Sequence, residues 1–266
     1  MTMTYPMRDS LTRLRRNLRR MQRYPSLTLM LLGQPILFLL LFVYVFGGTL
    51  GNGLGAAAAD GAMGRQAYIG FVAPTILIIT ITGAILGTAI SVAMDMTQGI
   101  MARFRTMSIS KASVLTGHVI GTVIQTAIGL AAVLGVALLV GFRPSAGPAE
   151  WLAVIGLLLL VTLALTWLAV ALGLNAKSVE TASNTPMIFI LLPFLSSGFV
   201  PNDSLPGGLR WFAEYQPFTP VIETVRGLLL GTSIGDKWLL AVGWCGLFTI
   251  IGYAWSKSLF RKERTR

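Results

Sequence analysis

The chain has 266 residues, of which 54% are hydrophobic and only 12% charged, with a mean hydropathy of +0.73. Soluble domains carry about 25% charged residues, so this composition excludes a disordered chain, a disulfide scaffold and an ordinary soluble enzyme, and it requires a membrane. The formal charge of +11, from 21 Lys+Arg against 10 Asp+Glu, would suggest nucleic acid in a soluble protein; in a membrane protein its meaning depends on where the charges lie. No stretch is long and polar enough for a separate soluble domain. The single cysteine, Cys245, forbids an intrachain disulfide and reads as a small packing residue.

Residues 1–25 are not a plain charge run. Met7, Leu11, Leu14, Leu18 and Met21 fall on one helical stripe, and Arg13, Arg15, Arg16, Arg19, Arg20 and Arg23 cover the rest. This is an amphipathic basic helix suited to the inner membrane surface. The plainer reading is a signal that holds the N-terminus inside; contact with a partner is the sharper one.

A membrane span needs about 20 apolar residues, because a ~1.5 Å rise per residue must cover a ~30 Å hydrocarbon core. Six stretches meet or approach this: Leu27–Phe46, Tyr68–Met94, Ala112–Phe142, Trp151–Leu174, Asn184–Val200 and Trp238–Phe260. The first is too long for the ~7–15-residue apolar core of a signal peptide and reads as a retained span. The third is too long to stand vertically; it tilts, bends at a glycine such as Gly121 or Gly129, or projects into the cytosol. The fifth is the weakest, being short and carrying Pro186 and Pro193. Between the fifth and sixth, Leu205–Tyr215 and Pro220–Leu230 each read as a short amphipathic helix. Thr219 is the expected N-cap before Pro220, and Glu223 and Arg226 stand at pairing distance along the helix. Such a pair of helices over 201–236 suggests a re-entrant or interfacial hairpin on the outer mouth of the bundle.

An even number of spans puts both termini on one side, and the positive-inside rule chooses it. Sixteen Lys/Arg and four acidic residues fall on the face holding the termini, and five Lys/Arg and six acidic residues on the other. The faces carry +12 and −1, so both termini, with the basic tail 261–266, are expected in the cytoplasm.

Several chemistries are absent. Each of the five lysines follows Ser110, Ala176, Asp236, Ser256 or Arg261, never glycine; there is no phosphate-binding P-loop, and the chain is not expected to hydrolyse ATP by itself. One His and one Cys make no typical structural zinc site. Ion-coupled carriers place ionisable groups inside the bundle, whereas the inner parts of these spans offer little beyond Gln34, His118 and Gln125. Asp95 stands at a span end, where its charge belongs. His118, Thr122 and Gln125 share one helical face and read as hydrogen-bonding glue between helices or as the lining of a substrate path. Gly83/Gly87 and Gly117/Gly121 are small-xxx-small pairs that allow close helix approach.

The segment 95–108, between the second and third stretches, carries a stripe of Met96, Ile100, Phe104 and Met107 flanked by Arg103 and Arg105. A short amphipathic cytoplasmic helix of this kind suits a soluble partner, with Phe104 as apolar anchor and the arginines as charged contacts; the alternative is a loop lying on headgroups. The pattern Asp95, Gly99, Arg103-Phe104-Arg105 resembles the cytoplasmic motif of type-2 ABC exporter permeases, especially the daunorubicin-resistance branch, although Met107-Ser108 stands where that branch has Leu-Pro. Further matches run from Phe194-Leu-Ser-Ser-Gly-Phe199-Val-Pro201 through Leu205-Pro206 to Tyr215-Gln-Pro217, and over Thr219-Pro220-Val-Ile-Glu223-Thr-Val-Arg226.

The resemblance implies an all-α membrane protein of six transmembrane helices, occupying 26–260, with an N-terminal amphipathic interface helix, a cytoplasmic coupling helix and an outer re-entrant helical hairpin. It implies a permease of a bacterial inner membrane, paired with a second permease (the same chain or a related one) and two separate ATP-binding subunits that hold ATP and Mg; this chain then needs no cofactor of its own and binds no nucleic acid. Carried over, Asp95, Gly99, Ile100, Arg103, Phe104 and Arg105 couple to the ATPase. Leu11, Leu14, Arg15, Leu18 and Arg19 belong to the interface helix, and Phe199, Pro201, Pro206, Pro217, Pro220, Glu223 and Arg226 to the outer gate. Gln34, His118, Thr122 and Gln125 are the candidates for the substrate path, and the low charge of the spans suits an amphipathic drug, polyketide or lipid. An ion-coupled secondary carrier and a noncatalytic membrane scaffold are the competing readings.

Overall fold

A computed structural model describes residues 25–54, 64–97, 111–201 and 204–262. The expected interface helix, with Leu11, Leu14, Arg15, Leu18 and Arg19, lies outside the described residues, as do Gly99, Ile100, Arg103, Phe104 and Arg105. Among the described residues every regular element is helical.

The chain enters through α1 (Pro25–Leu41), widens into a π-helical turn (Phe42–Phe46) and continues as α2 (Gly47–Asn52) without a break. Helix α3 (Gly64–Thr97) has 34 residues, about 51 Å at ~1.5 Å per residue. It is apolar all round, as a buried helix is, and it forms the centre of the bundle. Of its apolar stretch 89% is buried, against 22% for the first and last spanning helices. Pro74 removes one hydrogen bond inside α3 without ending it. Helix α4 (Lys111–Val140) runs through Gly121 and Gly129 without interruption, and α5 (Pro148–Asn175) follows.

The expected fifth span is broken. Residues 179–195 form α6 (Val179–Asn184), capped by Ser178 Oγ accepting from Thr181 N at 3.2 Å, then α7 (Met187–Leu191) and a 3-10 turn (Leu192–Leu195). Pro186 and Pro193 each lack the amide hydrogen that a continuous ladder needs. Five helices among the described residues are therefore long and apolar enough to cross a membrane, not six.

Two short helices follow, α8 (Gly207–Tyr215) and α9 (Phe218–Leu230), before the long α10 (Lys237–Lys262). The start of α9 corrects one expectation. Pro217, with φ −61°, is its N-cap, so Thr219 and Pro220 already lie in the first turn and are buried. Proline fits there because the first four amides of a helix have no intrahelical acceptor. Gly231, at φ +68°, ends α9 in the left-handed conformation.

Helices α5 and α10 meet at Gly252, where a Cβ would stand 2.7 Å from Leu168 N and Trp167 C; only glycine allows that approach. Beside it Trp167 and Tyr253 pack edge to face at 5.1 Å. The small-residue pair Gly83/Gly87 does not do this work: nothing lies within 4 Å of either Cβ position. Both residues fall on the less buried stripe of α3, Gly83 half-buried and Gly87 exposed.

Candidate functional site

The two ends of α3 carry two different polar arrangements. At the first, the segment 196–200 folds against α3 and α9 in a knot held by backbone carbonyls. Arg226 on α9 donates from Nε to Phe71 O at 3.1 Å and from Nη2 to Ser197 O at 3.0 Å and Gly198 O at 3.4 Å. Its guanidinium also lies 3.6 Å above the Phe71 ring, a cation–π contact. Burial lowers the pKa of Arg226 to about 10, with the Glu223 carboxylate acting against the shift, so the side chain is cationic at neutral pH. Thr75 Oγ1 donates to Gly198 O at 2.9 Å, Tyr68 Oη donates to Phe199 O at 3.4 Å, and Ser197 N donates to Thr219 Oγ1 at 3.4 Å. Gly198 is required here, since a Cβ would stand 2.5 Å from Thr75 Cγ2. The Ser197 hydroxyl and the Gln216 amide are buried without a hydrogen-bond partner among the described residues.

An aromatic cluster completes this knot. Phe199 stacks on Phe194 at 5.1 Å and 9°, and packs on Phe42 at 4.3 Å. Phe38 meets Phe194 edge to face at 5.8 Å. The knot is thereby tied to the π-helical turn that begins at Phe42. Pro206 and Pro217 open α8 and α9 on either side of the hairpin, Pro201 is half-buried at its entrance, and Glu223 forms an ion pair with Lys237 at the start of α10.

At the other end, α3 and α4 are joined by side chains. His118 Nε2 lies 2.9 Å from Asp95 Oδ2; a carboxylate only accepts, so Nε2 carries the hydrogen. Two turns back along α3, the hydroxyls of Thr88 and Thr122 are 2.7 Å apart. Thr88 Oγ1 donates to Ala84 O at 3.0 Å, which leaves Thr122 as donor in the contact between them. These two rungs take up His118 and Thr122. Gln125 is half-buried on α4 and Gln34 is exposed on α1.

The residues that sequence reasoning missed are mostly acceptors and ring neighbours: the Phe71, Ser197 and Gly198 carbonyls, the Thr75 and Tyr68 hydroxyls, and Phe38 and Phe42. Backbone acceptors carry no side-chain signal at all. A hollow lined by Val161, Leu165, Phe218, Val221, Trp244 and Phe248 lies between α5, α9 and α10. Its cavity volume of about 10 Å³ lies far below the ~300–1,000 Å³ of a drug-sized site.

Residues 10–230 match the family model described as ABC-2 type transporter. The chain is 29% identical over 228 residues to the "Daunorubicin resistance ABC transporter permease protein DrrB1" of Streptomyces coeruleorubidus, covering 84% of this chain and 76% of that protein. It is 24% identical over 186 residues to the "Probable doxorubicin resistance ABC transporter permease protein DrrC" of Mycobacterium tuberculosis, covering 66% of this chain and 67% of that protein. The family match takes in both ends of α3, the broken segment and the whole helical hairpin. The chain therefore belongs to the ABC-2 type transporter family and is the membrane permease subunit of an ABC exporter.

Proposed function

We propose that this permease exports a hydrophobic or amphipathic molecule, such as an aromatic drug, a polyketide or a lipid, in a complex of two permease copies and two ATP-binding subunits. The observation that carries the reading is the family match over 10–230, together with relatives whose names give drug resistance. The ATP-binding subunits supply ATP and Mg, and the permease performs no catalysis. The substrate passes between the two copies, with Gln125 and Gln34 as candidates on its path.

In this reading the membrane is a bacterial inner membrane. The broken segment 179–200 makes a sixth crossing, and both termini are cytoplasmic; non-helical backbone at membrane depth is tolerated where protein covers it, as α3 and α9 do for 196–200. The segment 95–108 is the coupling helix, the leader helix lies beside it, and the hairpin anchored by Arg226 closes the outer exit.

The test is purification of the full chain with its native neighbours. Stoichiometric ATP-binding subunits are expected, and Phe104→Asp or Arg103→Glu reduces their copurification. Transport by the permease without any ATPase, driven by an ion gradient, overturns the reading.

A further inference from the structure

We infer that Asp95 and His118 are positioning residues that lock the adjoining ends of α3 and α4 into one body, so that a displacement delivered between them moves both helices together. The lock rests on the proposed coupling role of 95–108, which it deepens, and it gives His118 a different task from lining a substrate path.

Apolar burial holds α4 chiefly in its C-terminal half, where Val133 and Ala137 join the main core; around His118, Val119 is the one fully buried apolar residue of 117–125. Only 22% of the apolar stretch of α4 is buried, and lipid tails are as apolar as the helix surface, so no hydrophobic force resists sliding or splaying from α3. Direction and register have to come from contacts with geometry. Among the described residues α4 makes its side-chain hydrogen bonds to other helices at two places, His118 to Asp95 and Thr122 to Thr88. Two rungs spaced along antiparallel helices fix both rotation and register, which one rung does not. The outer rung is charge-assisted and partly buried, with side-chain exposures of 18% for His118 and 28% for Asp95, so water weakens it less than a surface pair. Asp95 also stands in the last turn of α3, immediately before 98–110, and His118 lies early in α4, soon after it. The rungs therefore close the helix pair at the place where a push on the intervening segment arrives.

Helix α3 also reaches the second polar arrangement. Its other end holds Arg226 through Phe71 O and the 196–200 segment through Thr75. With the rungs intact, movement of the α3–α4 pair is carried to the hairpin. With them broken, α4 yields separately and α3 receives less of the displacement.

The experiment places spin labels at two exposed positions, Met94→Cys on α3 and Ile120→Cys on α4, in the full permease reconstituted with its ATP-binding subunits. The distance distribution and the substrate moved per ATP hydrolysed are both read. Asp95→Ala and His118→Ala are each expected to broaden the distribution and to lower transport per ATP by about threefold, the factor that one average interhelical hydrogen bond is worth. The double variant Asp95→Ala/His118→Ala is expected to be no worse than either single one, because each removes the same contact. Asp95→Asn retains an acceptor oxygen and is expected to restore both readings. An unchanged distribution in both alanine variants, unchanged transport per ATP, or losses that add in the double variant overturn the inference. Failure of the wild-type chain to recruit ATP-binding subunits strikes the proposed coupling role instead; the distance measurement on the permease alone then decides the lock.

Discussion

The two ends of α3 are about 36 Å apart along the helix from Phe71 to Asp95, and they hold their neighbours by different means. The knot around Arg226 joins a cation to backbone carbonyls, a ring and a glycine that admits no substitute. The seam around His118 joins side chain to side chain across two helices. Two of the three carbonyls that Arg226 meets, Ser197 and Gly198, lie just past the 3-10 turn that ends at Leu195, outside any helix that would supply a donor; the third, Phe71, belongs to the intact α3. In the seam both helices are intact, and the polar side chains add register to helices that would form without them. The difference teaches where each site is vulnerable: the knot is needed for the local fold, and the seam for the relation between two finished helices.

Variants separate the two roles. Arg226→Ala withdraws the donors from three carbonyls and is expected to cost about 3 kcal/mol; a fall in the thermal midpoint of the detergent-solubilised permease checks it. Gly198→Ala drives a methyl against Thr75 and is expected to cost about 2 kcal/mol, within the range for overpacking, read the same way. His118→Ala is expected to cost only about 0.6 kcal/mol, a small shift of the midpoint, while lowering coupling. Equal destabilisation by His118→Ala and Arg226→Ala would break the contrast between the ends. Smallest of all, Glu223→Gln removes an ion pair whose lysine side chain is 48% exposed. It is expected to cost about 0.5 kcal/mol at low salt, with the difference from wild type vanishing as salt is raised.

Much of the helical frame was legible from apolar runs alone. Tyr68–Met94 sits inside Gly64–Thr97, and Trp151–Leu174 inside Pro148–Asn175, because some twenty consecutive apolar residues have one economical conformation in lipid. The fifth stretch was legible as apolar and not as broken, since two prolines only weaken a pattern whose fate depends on whether other groups replace the lost hydrogen bonds. Arg226 and Glu223 were legible as charges on one helix. That Arg226 turns to Phe71, 155 residues away, was not, because the acceptors are backbone atoms common to every residue. His118 and Thr122 were visible as a polar stripe; that they face Asp95 and Thr88 was not. The glycines show the same limit in reverse. Spacing favoured Gly83/Gly87 and Gly117/Gly121, whereas close crossings fall at Gly173, against Ala89, and at Gly252.

The sequence by itself determined the solvent of this protein, its helical class and its family. Those properties follow from composition, run length and short motifs, all of which are local. Tertiary structure decided which polar groups face one another and which helix lies at the centre. Hydrogen bonds act over about 3 Å, and residues far apart in the chain come that close only after packing has placed them. The burial of α3 and the accommodation of a buried arginine by carbonyl oxygens are consequences of that packing, and no periodicity along the chain encodes them.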